Sequence, residues 1–341
     1  MKIALIVGGR SSEHEISLKS GKSVADKFND AFYDILYFYI DKIGRWSVHD
    51  EFPSVISHGK IKNNLMPSEV MDSLMECHVM FPVLHGTYGE DGTIQGLFEI
   101  LDKPYIGCDY RSSAIAMDKA FTKLICTSYG ISTSPYISFT DYEWKLNYDE
   151  IFKNIIEKLN FPLYVKPSHL GSAIGVNKVE DVSLLKKVIL EVLTFDNKVV
   201  VEEEIIGREI EFAVIGNQEV TVFPPGEVLA EGKLYSYDAK YGEGGFDTST
   251  RAQISDIQLK QGMDLALKVY RILGCQGMAR VDFFLDRQGK FWLNEVNPIP
   301  GFTSISLYPK ICEENGLFFD KILDKLIILA LQRHRSKGKY Q

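Results

Sequence analysis

Short apolar stretches and amphipathic stretches alternate along the first part of the chain. Residues 2–7 form a β-rich stretch that ends in two glycines, and residues 16–28 then carry apolar side chains at helical spacing. The same pattern predicts further strands at 35–40, 78–84 and 104–108 and a helix at 92–101. Such alternation is typical of a parallel, doubly wound α/β sheet, whose functional residues collect at the carboxyl ends of the strands.

After about residue 117 the strands and helices alternate less regularly. Helices are predicted at 119–129, 181–193, 259–273 and 317–331, and strands at 161–166, 198–203, 279–285 and 290–296. The long polar, glycine-rich stretch at 235–250 suggests an active-site lid. The basic tail at 333–341 is expected to fray. We therefore expect three regions, which are 1–118, 119–207 and 208–341.

The composition is that of an ordinary globular protein. The chain has 341 residues, of which 45% are apolar and 25% are charged. Its net charge of −8 gives no general attraction to nucleic acid, and no apolar run approaches the ~18 residues of a membrane span. The N-terminus does not resemble a signal peptide, and the five scattered cysteines indicate reduced thiols. These features predict a cytoplasmic protein that binds neither membranes nor nucleic acid.

The segment from Arg280 to Asn297 predicts a β-hairpin that turns at Gln288-Gly289. Its pairing places Asp282 opposite Glu295 and Arg280 opposite Asn297, with all four side chains on one face. Carboxylates directly opposite each other repel, and a divalent cation between them would remove that repulsion. Oxygen donors of this kind suit Mg²⁺. The alternative is a charged strand face that points into solvent.

Two other segments could bind a nucleotide. Lys166 ends a predicted strand, and the small residues at 167–175 after it could bring backbone N–H groups close to phosphate oxygens. Such a loop could equally be a surface turn. Glu202-Glu203-Glu204 with Glu209 could hydrogen-bond an adenine or a ribose, or could be a solvated run of charge.

Polar side chains also follow two strands of the first region. Glu13 follows the first strand, where its carboxylate could cap the next helix or bind a ligand's ammonium group. His85 follows another strand and could be a ligand contact or a hydrogen-bonded buried side chain.

Six motifs stand in order along the chain. They are VLHGTYGEDGTIQG at 83–96, AMDK at 116–119, VKPS at 165–168 followed by Gly171-Ser172, DAKY at 238–241, GMARVD at 277–282, and NEVN at 294–297 leading to PGFTS at 300–304. Together with the turn after the first strand, they have the order typical of the D-alanine–D-alanine ligases, and the sequence resembles this family from Gly8 to Tyr308. The resemblance implies an α/β protein, with an ATP-grasp fold preceded by a Rossmann-like N-terminal domain that holds the first D-alanine.

The resemblance also implies the nucleotide and metal contacts, with ATP as co-substrate. Lys119 and Lys166 would hold the ATP phosphates. Glu202, Glu203 and Ile205 would line the adenine, and Glu209 the ribose. Two Mg²⁺ ions, with Mn²⁺ as a substitute, would bind to Asp282, Glu295 and Asn297.

The remaining implied contacts are those of the two D-alanines. Glu13 and His85 would hold the first, while Arg280 and the backbone of Gly301 would stabilise the oxyanion. Ser306, Leu307 and Lys240 would receive the carboxylate of the second. Ser172, Tyr241 and Glu13 would form a hydrogen-bonded triad that ties the lid over the site.

Four positions depart from the common family pattern. Ala173 replaces a frequent serine, and His169-Leu170 stands where charged or polar residues are usual. Pro298 follows Asn297 in place of the commoner threonine and removes a backbone donor.

The implied reaction joins two D-alanines at the expense of ATP through an acylphosphate, for peptidoglycan precursors. Alternatives are a D-alanine–D-serine or D-alanine–D-lactate ligase, or a non-catalytic nucleotide-binding protein. The Lys240-Tyr241 pair, which depsipeptide-forming relatives lack, favours the dipeptide. The family also implies a homodimer.

Overall fold

The structure, a computed structural model, describes residues 1–28, 31–53, 65–229 and 247–338. Its strands are β1 (Lys2–Gly8), β2 (Asp34–Ile40), β3 (Trp46–His49), β4 (Val79–Pro82), β5 (Tyr136–Thr140), β6 (Leu163–Pro167), β7 (Asn177–Val179), β8 (Lys198–Glu203), β9 (Gly207–Gly216), β10 (Val220–Val222), β11 (Gly226–Leu229), β12 (Asp247–Ser249), β13 (Gly277–Asp286) and β14 (Phe291–Asn297). Its helices are α1 (His14–Ala25), α2 (Ser68–Glu76), α3 (Thr93–Ile100), α4 (Tyr110–Met117), α5 (Lys119–Ser128), α6 (Asp141–Leu146), α7 (Tyr148–Lys158), α8 (Val182–Val192), α9 (Asp256–Ile272), α10 (Leu307–Glu314) and α11 (Phe319–Lys337). Among the described residues, no helix is both long and apolar enough to cross a bilayer.

The first sheet has the order β3-β2-β1-β4, with β1 parallel to both β2 and β4. Strand β1 is buried from Ile3 to Val7, as a central parallel strand covered on both faces should be. The predicted parallel α/β arrangement is therefore confirmed. The short strand predicted at 104–108 is reduced to a single parallel bridge between Met80 and Tyr105.

Two antiparallel sheets follow in the chain. The smaller has the order β5-β8-β6-β7, and the larger has the order β12-β11-β9-β13-β14, with β10 also paired to β9. Strand β9 joins the predicted hairpin of β13 and β14 to the rest of the larger sheet. The loop that connects β6 to β7 and the carboxyl end of β8 both face the cavity described below.

One hydrophobic core spans the beginning and the end of the chain. It contains Ile3 and Leu5 of β1 together with Ile322 and Leu326 of α11. Helix α11 continues to Lys337, and the side chain of Arg333 is buried. The sequence predicts that the tail frays from residue 333. This prediction is wrong for residues 333–337, because this last part of the helix packs on the side of the molecule that carries the first sheet.

Candidate active site

The hairpin of β13 and β14 has the predicted pairing where the charged residues lie. Asp282 is opposite Glu295, and Arg280 is opposite Asn297. Beyond Asp282 the register shifts by a β-bulge at Asn294. The burial pattern places Asn294 and Glu295 on the same, partly exposed face, because a bulge inserts an extra residue into one strand. Both residues line the large cavity next to the hairpin.

A third carboxylate extends this pair across a neighbouring strand. Glu211 of β9 is directly opposite Asp282, so that Glu211, Asp282 and Glu295 form a row over three adjacent strands. Carboxylate oxygens of Glu209, Glu211 and Asp282 lie within 4.8 Å of one another. Like charges this close repel unless cations lie between them. A set made only of oxygen donors fits Mg²⁺ or Mn²⁺ better than a softer metal.

Arg280 and Asn297 hold the central carboxylate of the row. The Arg280 guanidinium donates to both oxygens of Asp282 at 2.9 and 2.8 Å, and its Nε lies 3.1 Å from Glu211 Oε2. Asn297 Nδ2 donates to Asp282 Oδ2 at 2.9 Å. Asp282 is fully buried, and these contacts supply the charge and hydrogen bonds that a buried carboxylate needs. The structure therefore brings together Asp282, Glu295, Asn297 and Arg280, as the sequence predicted.

The cavity beside this row has a volume of about 760 Å³, within the range of ligand pockets. Its walls carry all six residues that the sequence assigned to ATP, namely Lys119, Lys166, Glu202, Glu203, Ile205 and Glu209. Glu295 and Asn294 close the same cavity from the hairpin side.

Glu202 binds two lysines inside this cavity. One carboxylate oxygen forms an ion pair with Lys166, and the other lies 2.7 Å from Lys123 Nζ. Ser134 bridges the pair, since its Oγ donates to Glu202 and accepts from Lys123 at 2.9 Å each. Although burial opposes ionisation, the two lysines hold the pKa of Glu202 well below its usual range. The side chain of Glu202 therefore fixes the position of the Lys166 ammonium group.

The loop between β6 and β7 lies against Lys119. The ammonium group of Lys119 donates to the carbonyl of Leu170, and its backbone N–H donates to Ser168 at 3.0 Å. Ser172 and Ala173 have left-handed backbone angles, with φ of 52° and 56°. This turn directs the hydroxyl of Ser172 to the carboxylate of Glu13, to which it donates a hydrogen bond. Two members of the predicted triad are thus in contact.

Glu13 begins α1, but its side chain makes no capping hydrogen bond. The capping alternative is therefore wrong, and the buried carboxylate instead contacts the loop. Gly86 lies beside it, because a Cβ at Gly86 would be 2.6 Å from Glu13 Oε2. Glu90 accepts a hydrogen bond from Gly86 N at 2.7 Å, and burial together with the nearby charge of Glu13 raises its pKa.

His85 is buried next to this carboxylate group. Its Nε2 lies 3.0 Å from Ser20 Oγ, which also accepts a hydrogen bond from Phe302 N. Burial lowers the pKa of His85 to about 4, so that its ring is neutral at pH 7 and can position a ligand without adding charge.

Gly301, which is assigned to the oxyanion, and Ser306 and Leu307, which are assigned to the second substrate, lie where β14 leads into α10. A Cβ on Gly301 would be 2.7 Å from Ser306 Oγ, so the two residues are in contact. Ser306 immediately precedes α10, and its Oγ accepts from Thr303 N at 3.0 Å. Leu307 is the first residue of the helix, where backbone N–H groups attract carboxylates. Lys240, Tyr241 and most of the expected lid lie outside the described residues.

Two family models match the chain. The model described as "D-ala D-ala ligase N-terminus" matches residues 2–108, and that described as "D-ala D-ala ligase C-terminus" matches residues 125–328. A D-alanine–D-alanine ligase from Caldicellulosiruptor bescii is 38% identical, over 99% of this chain and 97% of the relative. The chain belongs to the D-alanine–D-alanine ligase family. The resemblance inferred from the motifs is therefore confirmed, and so is the enzyme class.

Solved structures of this family have the same fold. The D-Ala:D-Ser ligase VanG from Enterococcus faecalis superposes with a TM-score of 0.81 at 33% identity, covering 96% of this chain and 99% of that one. The D-alanine–D-alanine ligase from Bacillus anthracis, determined as a complex with ATP, gives a TM-score of 0.79 at 29% identity, covering 99% and 100%. The expected ATP-grasp fold is therefore confirmed.

Among the residues at or near the cavity that were not predicted as site residues are Lys123, Glu211 and Tyr164, the last of which lines the cavity. Lys123 lies four residues after Lys119, and this helical spacing on one face was the available signal. Glu211 had no such signal, because its position next to Asp282 depends on the pairing of β9 with β13.

Proposed function

We propose that this member of the family joins two D-alanines to D-alanyl-D-alanine, with ATP converted to ADP and phosphate. The observation that carries the proposal is the position of Glu295. Its charge acts on Lys119 at the phosphate side of the nucleotide cavity and on Glu90, which lies beside Glu13. Glu295 thus acts both on a residue assigned to ATP and on a neighbour of Glu13, which is assigned to the first D-alanine, and this supports the proposal.

In the proposed reaction the carboxylate of the first D-alanine attacks the γ-phosphorus of ATP, and ADP leaves. Glu13 binds the ammonium group of this D-alanine, and the neutral ring of His85 packs beside it. Lys119 and Lys166 offset the negative charge on the phosphoryl oxygens, where phosphoryl transfer needs most of its stabilisation. The amine of the second D-alanine then attacks the acyl carbon, and phosphate leaves.

The tetrahedral intermediate of the second step carries a negative charge on oxygen. Arg280 and the backbone N–H of Gly301 would donate to it, and such a donor is typically worth ~3 kcal/mol. Ser306 and the first N–H of α10 would bind the carboxylate of the second D-alanine, with Lys240 from the lid. Tyr241 would join the contact between Ser172 and Glu13 when the lid closes.

Asp282, Glu295 and Asn297 would hold two Mg²⁺ ions, and Mn²⁺ could replace them. When bound, these ions would neutralise the charge of the phosphates and the carboxylate row. The pairing of Asp282 with Glu295 and the oxygen atoms that all three side chains offer support this assignment. A homodimer is proposed from the family alone, and light scattering of the purified protein tests it.

A D-alanine–D-serine ligase is the second candidate, since a relative of that specificity shares the fold at 33% identity. Phosphate release is measured with D-alanine alone, with D-alanine plus D-serine and with D-alanine plus D-lactate, and each product is identified by its mass. We expect the dipeptide of D-alanine from D-alanine alone. A product that forms only when D-serine is present would favour the second candidate instead.

A substitution at Glu295 tests the metal assignment. Glu295→Gln should nearly abolish D-alanine-dependent phosphate release while the melting temperature stays close to that of the wild type. Glu191→Gln, a change of the same chemistry on the exposed face of α8, is the matched control and should keep full turnover. Wild-type turnover in Glu295→Gln would refute the assignment.

A further inference from the structure

His169 joins two carboxylates from separate parts of the chain. Its Nδ1 lies 3.0 and 3.1 Å from the two oxygens of Asp196, and its Nε2 lies 3.1 Å from Asp118 Oδ2. Its backbone N–H also donates to Asp196 at 2.7 Å. Asp118 precedes α5, whereas Asp196 lies between α8 and β8, so that the ring ties the β6–β7 loop to both.

The geometry indicates the protonation state of this ring. Hydrogen bonds and nearby charge keep the pKa values of Asp118 and Asp196 below their usual range, so both carboxylates only accept hydrogen bonds at neutral pH. A neutral imidazole has one N–H donor, and only the imidazolium has two. The hydrogen bonds to Asp118 and Asp196 accordingly raise the pKa of His169 to about 9.

Lys198 also faces this group, because its Nζ donates to both oxygens of Asp118 at 3.1 and 2.8 Å. Asp118 therefore binds both the ammonium group of Lys198 and the imidazolium of His169. Ser168 Oγ donates to the same carboxylate at 2.8 Å. Hydrogen bonds to Asp118 therefore hold the loop, the start of α5 and the start of β8 together.

The two neighbours of His169 in the loop are the residues that contact Lys119. Ser168 O accepts from the Lys119 backbone at 3.0 Å, and Leu170 O accepts from the Lys119 ammonium group. Lys119 and Leu170 both line the nucleotide cavity. His169 itself is outside the group of residues that line this cavity, so its effect on a nucleotide has to pass through its neighbours.

We propose that His169 is a positioning residue that holds the β6–β7 loop and Lys119 in the geometry that binds the phosphates of ATP. The inference rests on the proposed use of this cavity for ATP. It concerns a position at which this sequence departs from the usual family residues. Loss of the imidazolium at high pH removes one of the two donors, so that the loop is released from Asp118 or from Asp196.

The test measures ATP binding by calorimetry with MgATP and without D-alanine, at about pH 7.5 and about pH 10. His169→Gln keeps polarity but loses the charge, and we expect it to weaken binding about tenfold at pH 7.5. His169→Arg keeps a permanent charge with several donors and should bind as tightly as the wild type at pH 7.5. The affinity of the wild type for MgATP should fall about tenfold between the two pH values, and that of His169→Arg should fall clearly less.

Steady-state phosphate release supplies the second readout. In His169→Gln the KM for ATP should rise about tenfold, while kcat at saturating ATP stays within about twofold of the wild type. Equal ATP affinity of His169→Gln and the wild type at pH 7.5 would overturn the inference, and so would equal losses of the wild type and His169→Arg at high pH. Should His169→Gln fail to fold, the comparison of wild type with His169→Arg still decides. ATP binding without any ligation would instead count against the proposed function.

Discussion

The carboxylate of Glu13 accepts a hydrogen bond from the hydroxyl of Ser172, which lies 159 residues further along the chain. The contact joins the start of α1, in the part assigned to the first D-alanine, to the loop that lies against Lys119. The position of the Glu13 carboxylate therefore depends directly on the conformation of a loop that lines the cavity.

Ser172→Ala tests this dependence. The variant removes the donor to Glu13, and we expect kcat/KM for D-alanine to fall about 10- to 100-fold. The free energy of unfolding should change by less than about 1 kcal/mol, because Ser172 is only half-buried. Ser138→Ala, in an exposed position of β5, is the control and should keep wild-type kinetics. Unchanged kcat/KM in Ser172→Ala would show that the contact has no role in turnover.

Gly86 and Gly130 form a matched pair for testing the space around Glu13. Both have φ of +75°, so that an alanine costs about 1–2 kcal/mol of backbone strain at either position. At Gly86 the new Cβ would also lie 2.6 Å from Glu13 Oε2, whereas at Gly130 it meets nothing within 4 Å. Gly86→Ala should therefore raise the KM for D-alanine at least about tenfold, and Gly130→Ala should lower stability alone. Equal kinetics in the two variants would contradict the placement of Glu13.

The buried pair of Lys123 and Glu202 should contribute strongly to stability when one partner is removed. Their side chains are 3% and 5% exposed, and Lys123→Met leaves Glu202 with Lys166 as its remaining lysine partner. We expect a loss of about 3 kcal/mol in the free energy of unfolding, measured with urea. The double variant Lys123→Met/Glu202→Gln should lose less than the sum of the single variants.

An exposed ion pair provides the control for this measurement. Lys153 and Glu157 are 3.8 Å apart on α7 and largely solvated. Lys153→Met should therefore change the free energy of unfolding by less than about 0.5 kcal/mol. Simple additivity of the Lys123 and Glu202 variants would show that the two side chains do not interact.

The buried ring of His85 should make stability depend on pH. Burial lowers its pKa from 6.5 to about 4. Between these two pH values His85 is therefore protonated in the unfolded chain but not in the folded protein. The stability present above pH 6.5 is then lost as the pH falls to 4, by about 3 kcal/mol in total. Over the same pH range, the free energy of unfolding of His85→Gln should fall by about 3 kcal/mol less than that of the wild type, measured by urea unfolding at each pH. The exposed His78→Gln is the control, and an identical pH profile for His85→Gln would refute the assignment.

Much of the site could be predicted where it depends on local pairing. The alternation of side chains and a turn at Gln288-Gly289 predict Asp282 opposite Glu295, and the structure has this pair. Next to the turn, however, Leu285 pairs with Phe291, so the predicted register is wrong there and holds at Asp282 only because the bulge shifts it by one residue. The bulge at Asn294 could not be predicted in this way, because it depends on how β14 fits the rest of the sheet. The same holds for Glu211, whose neighbour Asp282 is brought to it by long-range strand pairing.

The first sheet illustrates the same limit. Strands β1 and β2 were predicted because they are long and apolar, whereas β3 has only four residues and shows no period of its own. The bonds of Glu202 to Lys123 and Lys166 were not predicted either, since an acidic run in a sequence does not show which cations face it. The family motifs indicate what these segments do, whereas the pattern of apolar and polar residues indicates where they lie.

Arg333, near the end of α11, donates hydrogen bonds to the backbone carbonyls of Tyr105 and Gly107. Together with the apolar side chains of α11, it covers elements that are synthesised well before this helix. During translation those elements therefore remain without their partner until α11 has left the ribosome. A fragment ending at residue 118 would expose this apolar surface to water, and it would need a chaperone or the missing helix, supplied as a separate peptide, to stay dispersed.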